Sequence, residues 1–201
     1  MIGILNYGLG NISAFANSYK RLGVSYRFLE TRQDFNDITH IIMPGVGAFD
    51  YAMDRLNSSG MRDILEEFVL KKRVPILGIC VGMQILGKGS DEGTETGLGW
   101  LDFRVKKLNN TVEKCPLPHM GWNTIIKKHQ HSILDNIEDR SSFYFLHSYF
   151  IDADNPHTIA MTEYSANICS VIGMGNILGI QCHPEKSHSA GMQLLKNFSG
   201  I

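Results

Sequence analysis

Pro75-Ile76-Leu77-Gly78-Ile79-Cys80-Val81-Gly82-Met83-Gln84 is the stretch that decides how this chain folds. An apolar run ends in one thiol bracketed by two glycines, and helix-forming residues follow. That pattern predicts a buried strand, a tight turn and a helix. G-x-C-x-G is the thiol form of the nucleophile elbow, in which a strained turn lifts a nucleophile clear of a sheet. Gly78 and Gly82 suit the turn because a side chain there would collide with the strand or helix packed beside it. A thiol so placed sits at a helix N-terminus, where exposed N–H groups and the helix dipole favour the thiolate. Backbone N–H groups beside it, Val81's first, can stabilise an oxyanion. The same stretch also suits a buried core cysteine at a strand end, so residues elsewhere must decide.

Upstream, His40-Ile41-Ile42-Met43 reads as a strand that runs into Pro44-Gly45-Val46-Gly47-Ala48-Phe49-Asp50. A proline and two glycines at a strand's carboxyl end make either a plain turn or a loop whose N–H groups face a ligand. Ligands collect at such ends in open α/β sheets. Met61, Ile64, Leu65 and Phe68 mark an amphipathic helix leading back to the elbow strand. At the N-terminus, Ile2 to Asn6 reads as a strand, Tyr7-Gly8-Leu9-Gly10-Asn11 as a turn, and Ile12, Phe15, Ala16 and Tyr19 as a helix ending near Gly23. Val24 to Leu29 is a second strand. Strand, helix, strand is the opening of a parallel sheet. Gly8-Leu9-Gly10 with Glu30 about 20 residues on invites a dinucleotide reading, but the third glycine is missing.

Downstream the pattern changes. Gly87 to Gly97 is polar and glycine-rich and reads as a surface loop. Phe103 to Leu108 reads as a strand, turned by Asn109-Asn110. Pro118-His119-Met120-Gly121-Trp122-Asn123 shows no helix or strand period, so it is a buried loop anchor or a protein contact surface. His129 and His131 form an H-x-H pair among Lys and Gln, which reads as a solvated loop rather than a metal site. Tyr144 to Ile151, Thr158 to Thr162, Ile168 to Ile172 and Asn176 to Cys182 are strand-like, with a hairpin at Gly173 and Gly175. Met192, Leu195 and Phe198 mark a closing helix. The fold class is therefore α/β: an open, mostly parallel sheet flanked by helices, with an added antiparallel strand region.

Composition narrows the function. The chain has 201 residues, 43% hydrophobic, with Lys+Arg 19 against Asp+Glu 20. One domain, residues 1–201, accounts for that length. The charge balance lacks the basic footprint of a nucleic-acid binder. No apolar run is long enough to span a bilayer. The N-terminus shows no signal peptide. Cys80, Cys115, Cys169 and Cys182 are scattered without paired spacing, which predicts reduced thiols in a cytoplasmic protein and no structural zinc.

The last strand ends in Gln181-Cys182-His183-Pro184-Glu185-Lys186-Ser187. Pro184 forces His183 into an extended conformation. In extended chain, residues two apart face the same way, so Glu185 can hold the His183 imidazole, as a general base requires. The same alternation sends Cys182 into the core. A thiol on an elbow, a histidine with its carboxylate and a glycine loop at a strand end together define a Cys–His–Glu acyl-transfer site.

With those residues in place, the chain resembles the class I (triad) glutamine amidotransferases, which have a flavodoxin-like sheet. Asn6-Tyr7-Gly8-Leu9-Gly10-Asn11 and Pro118-His119-Met120-Gly121-Trp122-Asn123 are similar to motifs of the subfamily that serves L-histidine biosynthesis. The resemblance runs nearly end to end; its one departure near the site is Cys182, where Phe is usual. It implies that L-glutamine is hydrolysed to glutamate and ammonia without a cofactor or metal. Cys80 would be the nucleophile, His183 the base and then acid, and Glu185 its orienter. Val46 and Val81 would supply oxyanion N–H groups, shaped by Gly45 and Gly47. Gln84, Ser148 and Tyr149 would bind glutamine. The resemblance also implies a heterodimer with a (βα)8-barrel synthase subunit. That partner would switch the glutaminase on and use its ammonia to form imidazole glycerol phosphate and an aminoimidazole carboxamide ribotide. Asn11, Met120 and Trp122 would lie at the partner interface, with Tyr144 near the ammonia exit. Neither nucleic acid nor membrane is implied. An alternative within the same chemistry is a glutaminase feeding an amidino-sugar synthase for surface polysaccharides.

Overall fold

The computed structural model describes residues 1–109 and 115–201. The predicted turn at Asn110 falls outside the described residues. The strands are β1 (Ile2–Leu5), β2 (Tyr26–Leu29), β3 (His40–Gly45), β4 (Ile76–Cys80), β5 (Gly89–Ser90), β6 (Arg104–Lys107), β7 (His119–Thr124), β8 (Ile126–Lys127), β9 (Ser142–His147), β10 (Tyr149–Phe150), β11 (Thr158–Glu163), β12 (Asn167–Met174) and β13 (Ile177–Ile180). The helices are α1 (Ile12–Leu22), α2 (Phe49–Ser58), α3 (Met61–Glu66), α4 (Val81–Gln84) and α5 (His188–Phe198).

The main sheet has the order β2-β1-β3-β4-β13-β12-β11-β8. Its first five strands are parallel, and β12, β11 and β8 continue it antiparallel. This is the predicted architecture. Strands β3, β4 and β13 are buried along their whole length, as strands covered on both faces must be. Because β3, β4 and β13 are parallel neighbours, their carboxyl ends open on one edge. The elbow, the Pro44–Gly47 stretch and the Gln181–Ser187 stretch therefore start from adjacent strand ends.

Local sequence explains the elements. Asn11 caps α1 by accepting from the Ala14 N–H at 3.1 Å. Gly23, at φ 68°, ends that helix. Phe49, Ala52, Met53 and Leu56 bury one face of α2. Beyond Gly60, the predicted Met61–Phe68 helix forms as α3 and widens into a π turn over Glu67–Lys71.

Several expectations are corrected. Strand β3 does not stop at Met43; it runs through Pro44 to Gly45, which pairs with Cys80. The buried Tyr7 hydroxyl donates to the Pro44 carbonyl at 2.6 Å and anchors this end of the strand. The 118–123 stretch is not a loop: His119–Thr124 is β7, paired antiparallel with β9 in a separate two-stranded ribbon. The strand expected from Tyr144 to Ile151 breaks at Ser148, leaving β9 in the ribbon and β10 in a small three-stranded sheet with β6 and β5. The glycine-rich 87–97 stretch is pinned rather than loose. The Asp50 carboxylate accepts the Thr94 and Glu95 N–H groups at 2.9 and 3.0 Å, and the Glu92 carboxylate accepts the Phe49 N–H at 2.8 Å. Glu30, the ribose ligand of a dinucleotide reading, instead accepts from the Asn6 side chain. His131 is tied by its Nδ1, which accepts from the Ile133 N–H. Among the described residues, no His/Cys/Asp/Glu group could hold a metal ion and no helix is long and apolar enough to cross a membrane.

Candidate active site

Cys80 is the last residue of β4 and stands at φ 56°, ψ −114°. That backbone is unusual for a residue with a side chain and holds on the order of 1–3 kcal/mol of strain. The neighbouring glycines make it affordable in space. A Cβ on Gly78 or Gly45 would collide with the Gly82 backbone, and one on Gly82 would collide with the Met43 carbonyl. The backbones of β3, β4 and α4 are therefore in direct contact around the sulfur, as the G-x-C-x-G pattern requires. The Gln181 side-chain amide donates to Cys80 Sγ at 3.7 Å, and Sγ lies 3.9 Å from the Leu146 carbonyl.

His183 follows β13 with φ −102°, ψ 95°, the extended backbone that Pro184 imposes. Its Nδ1 lies 2.9 Å from Glu185 Oε1, both side chains being buried. The pairing is the expected one, but its geometry is not plain alternation: residues Pro184–Lys186 turn as a 3-10 helix, which brings the carboxylate round to the ring. Ser187 fixes this turn, its hydroxyl donating to the His183 carbonyl while accepting the Tyr144 N–H at 3.0 Å. The His183 N–H in turn donates to the Tyr144 carbonyl at 2.8 Å, which fastens β9 to the His183–Ser187 turn.

Burial opposes the charged form of His183. The neighbouring Cys80 sulfur and the Glu185 carboxylate on Nδ1 outweigh it and push the pKa up to about 10. The imidazole therefore lies between a sulfur and a carboxylate that both favour its proton. Burial pushes the Cys182 thiol well up, so it is a neutral core group, as the alternation argument expects.

These residues open on a cleft of about 310 Å³, the low end of the size range for small-molecule sites. Val46, Gly47, Val81, Gln84, Ser148 and Tyr149 also line it. Gly45 lies behind, paired with Cys80. The sequence-predicted substrate residues thus converge, Ser148 and Tyr149 arriving from the break between β9 and β10. Gln84 is buried; its amide donates to the Tyr149 carbonyl at 3.2 Å and Gln181 Oε1 at 2.9 Å. Its Oε1 is buried and has no hydrogen-bond partner among the described residues.

Sequence reasoning gave no role at the cleft to several lining or supporting residues, Glu92, Gln181, His147 and Lys186 among them. Glu92 reaches the cleft from the glycine-rich stretch, fixed by Phe49. Gln181 holds both Cys80 and Gln84. His147 lines the cleft next to Ser148. Only Gln181 carried a readable signal, as an amide at the buried end of a strand. The four expected interface residues lie apart from the glutamine residues. Met120 and Trp122 are 64% and 50% exposed on β7. Trp122 stacks on His188 at 4.8 Å and meets the Tyr144 ring edge-on at 6.1 Å; Tyr144 in turn faces the His183 ring at 6.5 Å. Asn11 is exposed and serves as the α1 cap.

A nucleophile elbow, a His–Glu pair and a cleft at the carboxyl edge of a parallel sheet define a cysteine-based acyl-transfer enzyme. The chain belongs to the class-I glutamine amidotransferase family, whose sequence model matches residues 4–200. It is 50% identical to the imidazole glycerol phosphate synthase subunit HisH of Bdellovibrio bacteriovorus, the match covering 100% of both chains. It is 45% identical to the subunit of the same name from Leptospira interrogans, again over 100% of both. Among solved structures it is similar to a glutamine amidotransferase, with TM-score 0.76 over 100% of this chain and 99% of the other at 16% identity, a likeness of fold.

Proposed function

We propose that this chain is the glutaminase subunit of an imidazole glycerol phosphate synthase, hydrolysing L-glutamine and passing the ammonia to a (βα)8-barrel partner. The observation that carries the reading is the strained Cys80 sharing one cleft with a His183 that Glu185 holds at 2.9 Å and whose pKa is raised to about 10. A charged His183 ring beside the sulfur is the state this favours, with its proton ready for the leaving nitrogen. Cys80 Sγ attacks the side-chain amide carbon of glutamine, and the carbonyl oxygen takes the negative charge between the Val46 and Val81 N–H groups. His183 gives its proton to the departing nitrogen, which leaves as ammonia with the thioester formed. His183, now neutral, takes a proton from water; the hydroxide adds to the thioester carbon, and glutamate leaves with the thiolate restored. Glu185 holds the ring throughout.

Glutamine also presents an ammonium and a carboxylate. Glu92 is the one carboxylate among the residues lining the cleft, and we assign it to the ammonium. Ser148 and Tyr149 contact the same amino-acid end, and Gln84 lines the cleft beside them. Met120, Trp122, Asn11 and Tyr144 form the face toward the partner: an exposed Trp and Met on one strand are the residue types that anchor interfaces. The Trp122–Tyr144–His183 row runs from that face to the ring that releases ammonia. Free ammonia becomes ammonium in neutral water and loses its nucleophilic lone pair, so transfer within a heterodimer suits the chemistry. The similar HisH subunits favour this acceptor over an amidino-sugar synthase. The site is of the kind expected of a soluble cytoplasmic enzyme, with reduced buried thiols.

The test is glutamate release by Cys80→Ala, measured with the barrel subunit and its nucleotide substrate present. Loss of turnover is expected; substantial remaining turnover refutes the role of Cys80.

A further inference from the structure

The cleft has a second buried histidine that the reaction above does not use. His147 Nδ1 lies 2.9 Å from the Tyr149 carbonyl, and its Nε2 lies 3.0 Å from His119 Nδ1. His119 faces His147 across the β7–β9 ribbon, its ring stacked between Phe145 at 4.8 Å and Tyr164 at 3.9 Å. His119 Nε2 lies 3.2 Å from the Asn123 side-chain amide nitrogen, which also donates to the Glu163 carbonyl at 3.1 Å.

The proton positions follow by elimination. A backbone carbonyl only accepts, so His147 Nδ1 carries a hydrogen. If His147 is neutral, its Nε2 is bare and accepts, so His119 Nδ1 carries a hydrogen too. His119 Nε2 is then bare and accepts from the Asn123 amide. Asn123 Oδ1 accepts the Thr124 N–H at 2.8 Å, which fixes which end of that amide is nitrogen. Every polar atom of both rings is satisfied when both are neutral, and protonating either ring would point N–H at N–H. Burial independently lowers both pKa values, to about 4 for His119 and about 3 for His147.

We propose that His119 and His147 form a neutral, one-directional hydrogen-bond relay that sets the glutamine subsite by holding the Tyr149 carbonyl. Both are positioning residues, and neither is a base. The Tyr149 carbonyl is where the relay acts, because the Gln84 amide donates to the same oxygen. With one Gln84 amide hydrogen on the Tyr149 carbonyl and the other on Gln181 Oε1, the Gln84 side chain is fixed where it lines the cleft. The relay also gives the ribbon a direct effect on substrate. His119 precedes the exposed Met120 on β7, so a shift of that strand moves the His119 donor and, through His147, the acceptor that orients Gln84. This deepens the reading of the cleft as a glutamine site and rests on that reading for its kinetic consequence.

The test has two arms. Nitrogen-15 NMR of the wild-type chain reads the tautomers with no variant and no turnover. Both rings are expected in the Nδ1–H form and uncharged at neutral pH; His147 in the Nε2–H form, or charged, overturns the relay. The second arm uses the complex with the barrel subunit. His119→Gln keeps an amide at the Nε2 position and removes the donor to His147; the KM for glutamine is expected to rise about tenfold, the worth of one buried hydrogen bond, with kcat changed less. His119→Asn restores an amide donor at the Nδ1 position and is expected to recover most of that loss. Equal KM values for the two variants overturn the proposal. Should the wild-type complex release no glutamate, the functional reading falls while the tautomer result still judges the relay.

Discussion

The cleft is walled by two regions that treat a histidine in opposite ways. The parallel sheet supplies His183, flanked by the Cys80 sulfur and the Glu185 carboxylate, and its pKa is raised to about 10. The β7–β9 ribbon supplies His147, flanked by a carbonyl and a neutral imidazole, and its pKa is lowered to about 3. Both rings are buried, so burial alone does not separate them. What differs is the charge of the partners: anions outweigh desolvation on one side, and on the other the single Tyr149 carbonyl does not. That contrast suits one ring to carrying protons and the other to rigid spacing. The comparison teaches that chemistry here belongs to the strand ends and orientation to the ribbon.

The largest effect that sharpens this contrast is on the sheet side. His183→Ala removes the proposed proton carrier beside the sulfur, and glutamate release in the complex is expected to fall by ~10⁴-fold or more. Glu185→Gln keeps the shape but removes the charge. Activity is expected to drop by roughly 10²–10⁴-fold, and the His183 titration followed by NMR should move to lower pH. An unmoved titration would break the account of why this ring is charged.

A smaller effect concerns pH and stability, and the two histidines predict opposite signs. His183, raised from 6.5, contributes stability that is full below pH 6.5 and is lost as pH rises through about 10. His119 and His147, lowered from 6.5, contribute stability that is full above pH 6.5 and is lost as pH falls toward about 4 and 3. Denaturation midpoints measured across pH should show His119→Phe flattening the acid limb and His183→Ala flattening the alkaline limb. The reverse assignment would break the comparison. The smallest effect on the isolated chain is that of Trp122→Ala. Its half-exposed ring is expected to contribute within about 0.5 kcal/mol to stability. Loss of an aromatic anchor should nonetheless weaken partner binding by more than about 1 kcal/mol in a titration.

The two regions also differ in how far the sequence announces them. Around Cys80, backbone contacts among β3, β4 and α4 demand glycine at 45, 78 and 82, so chemistry and fold share one short pattern. Pro184 likewise marks the extended His183. The ribbon has no such constraint. Met120 and Trp122 face outward on β7, so the hydrophobic alternation of a half-buried strand is absent, and the pairing with β9 shows only in three dimensions. Glu92 sits in a polar stretch whose order comes from Asp50 and Phe49, more than 40 residues away in sequence. Helix α2 is different again: Phe49, Ala52, Met53 and Leu56 carry a clear helical period, masked by the turn residues before them.

The central claim is that one sulfur, activated by its position, carries out the chemistry. Cys80, Cys115, Cys169 and Cys182 are all free thiols. A glutamine-mimicking electrophile added to the complex, followed by peptide mass analysis, distinguishes them directly. Labelling of Cys80 alone, slowed by excess glutamine and abolished in His183→Ala, is the predicted result. Labelling of another cysteine that tracks the loss of activity, or full inhibition with Cys80 unmodified, would contradict it.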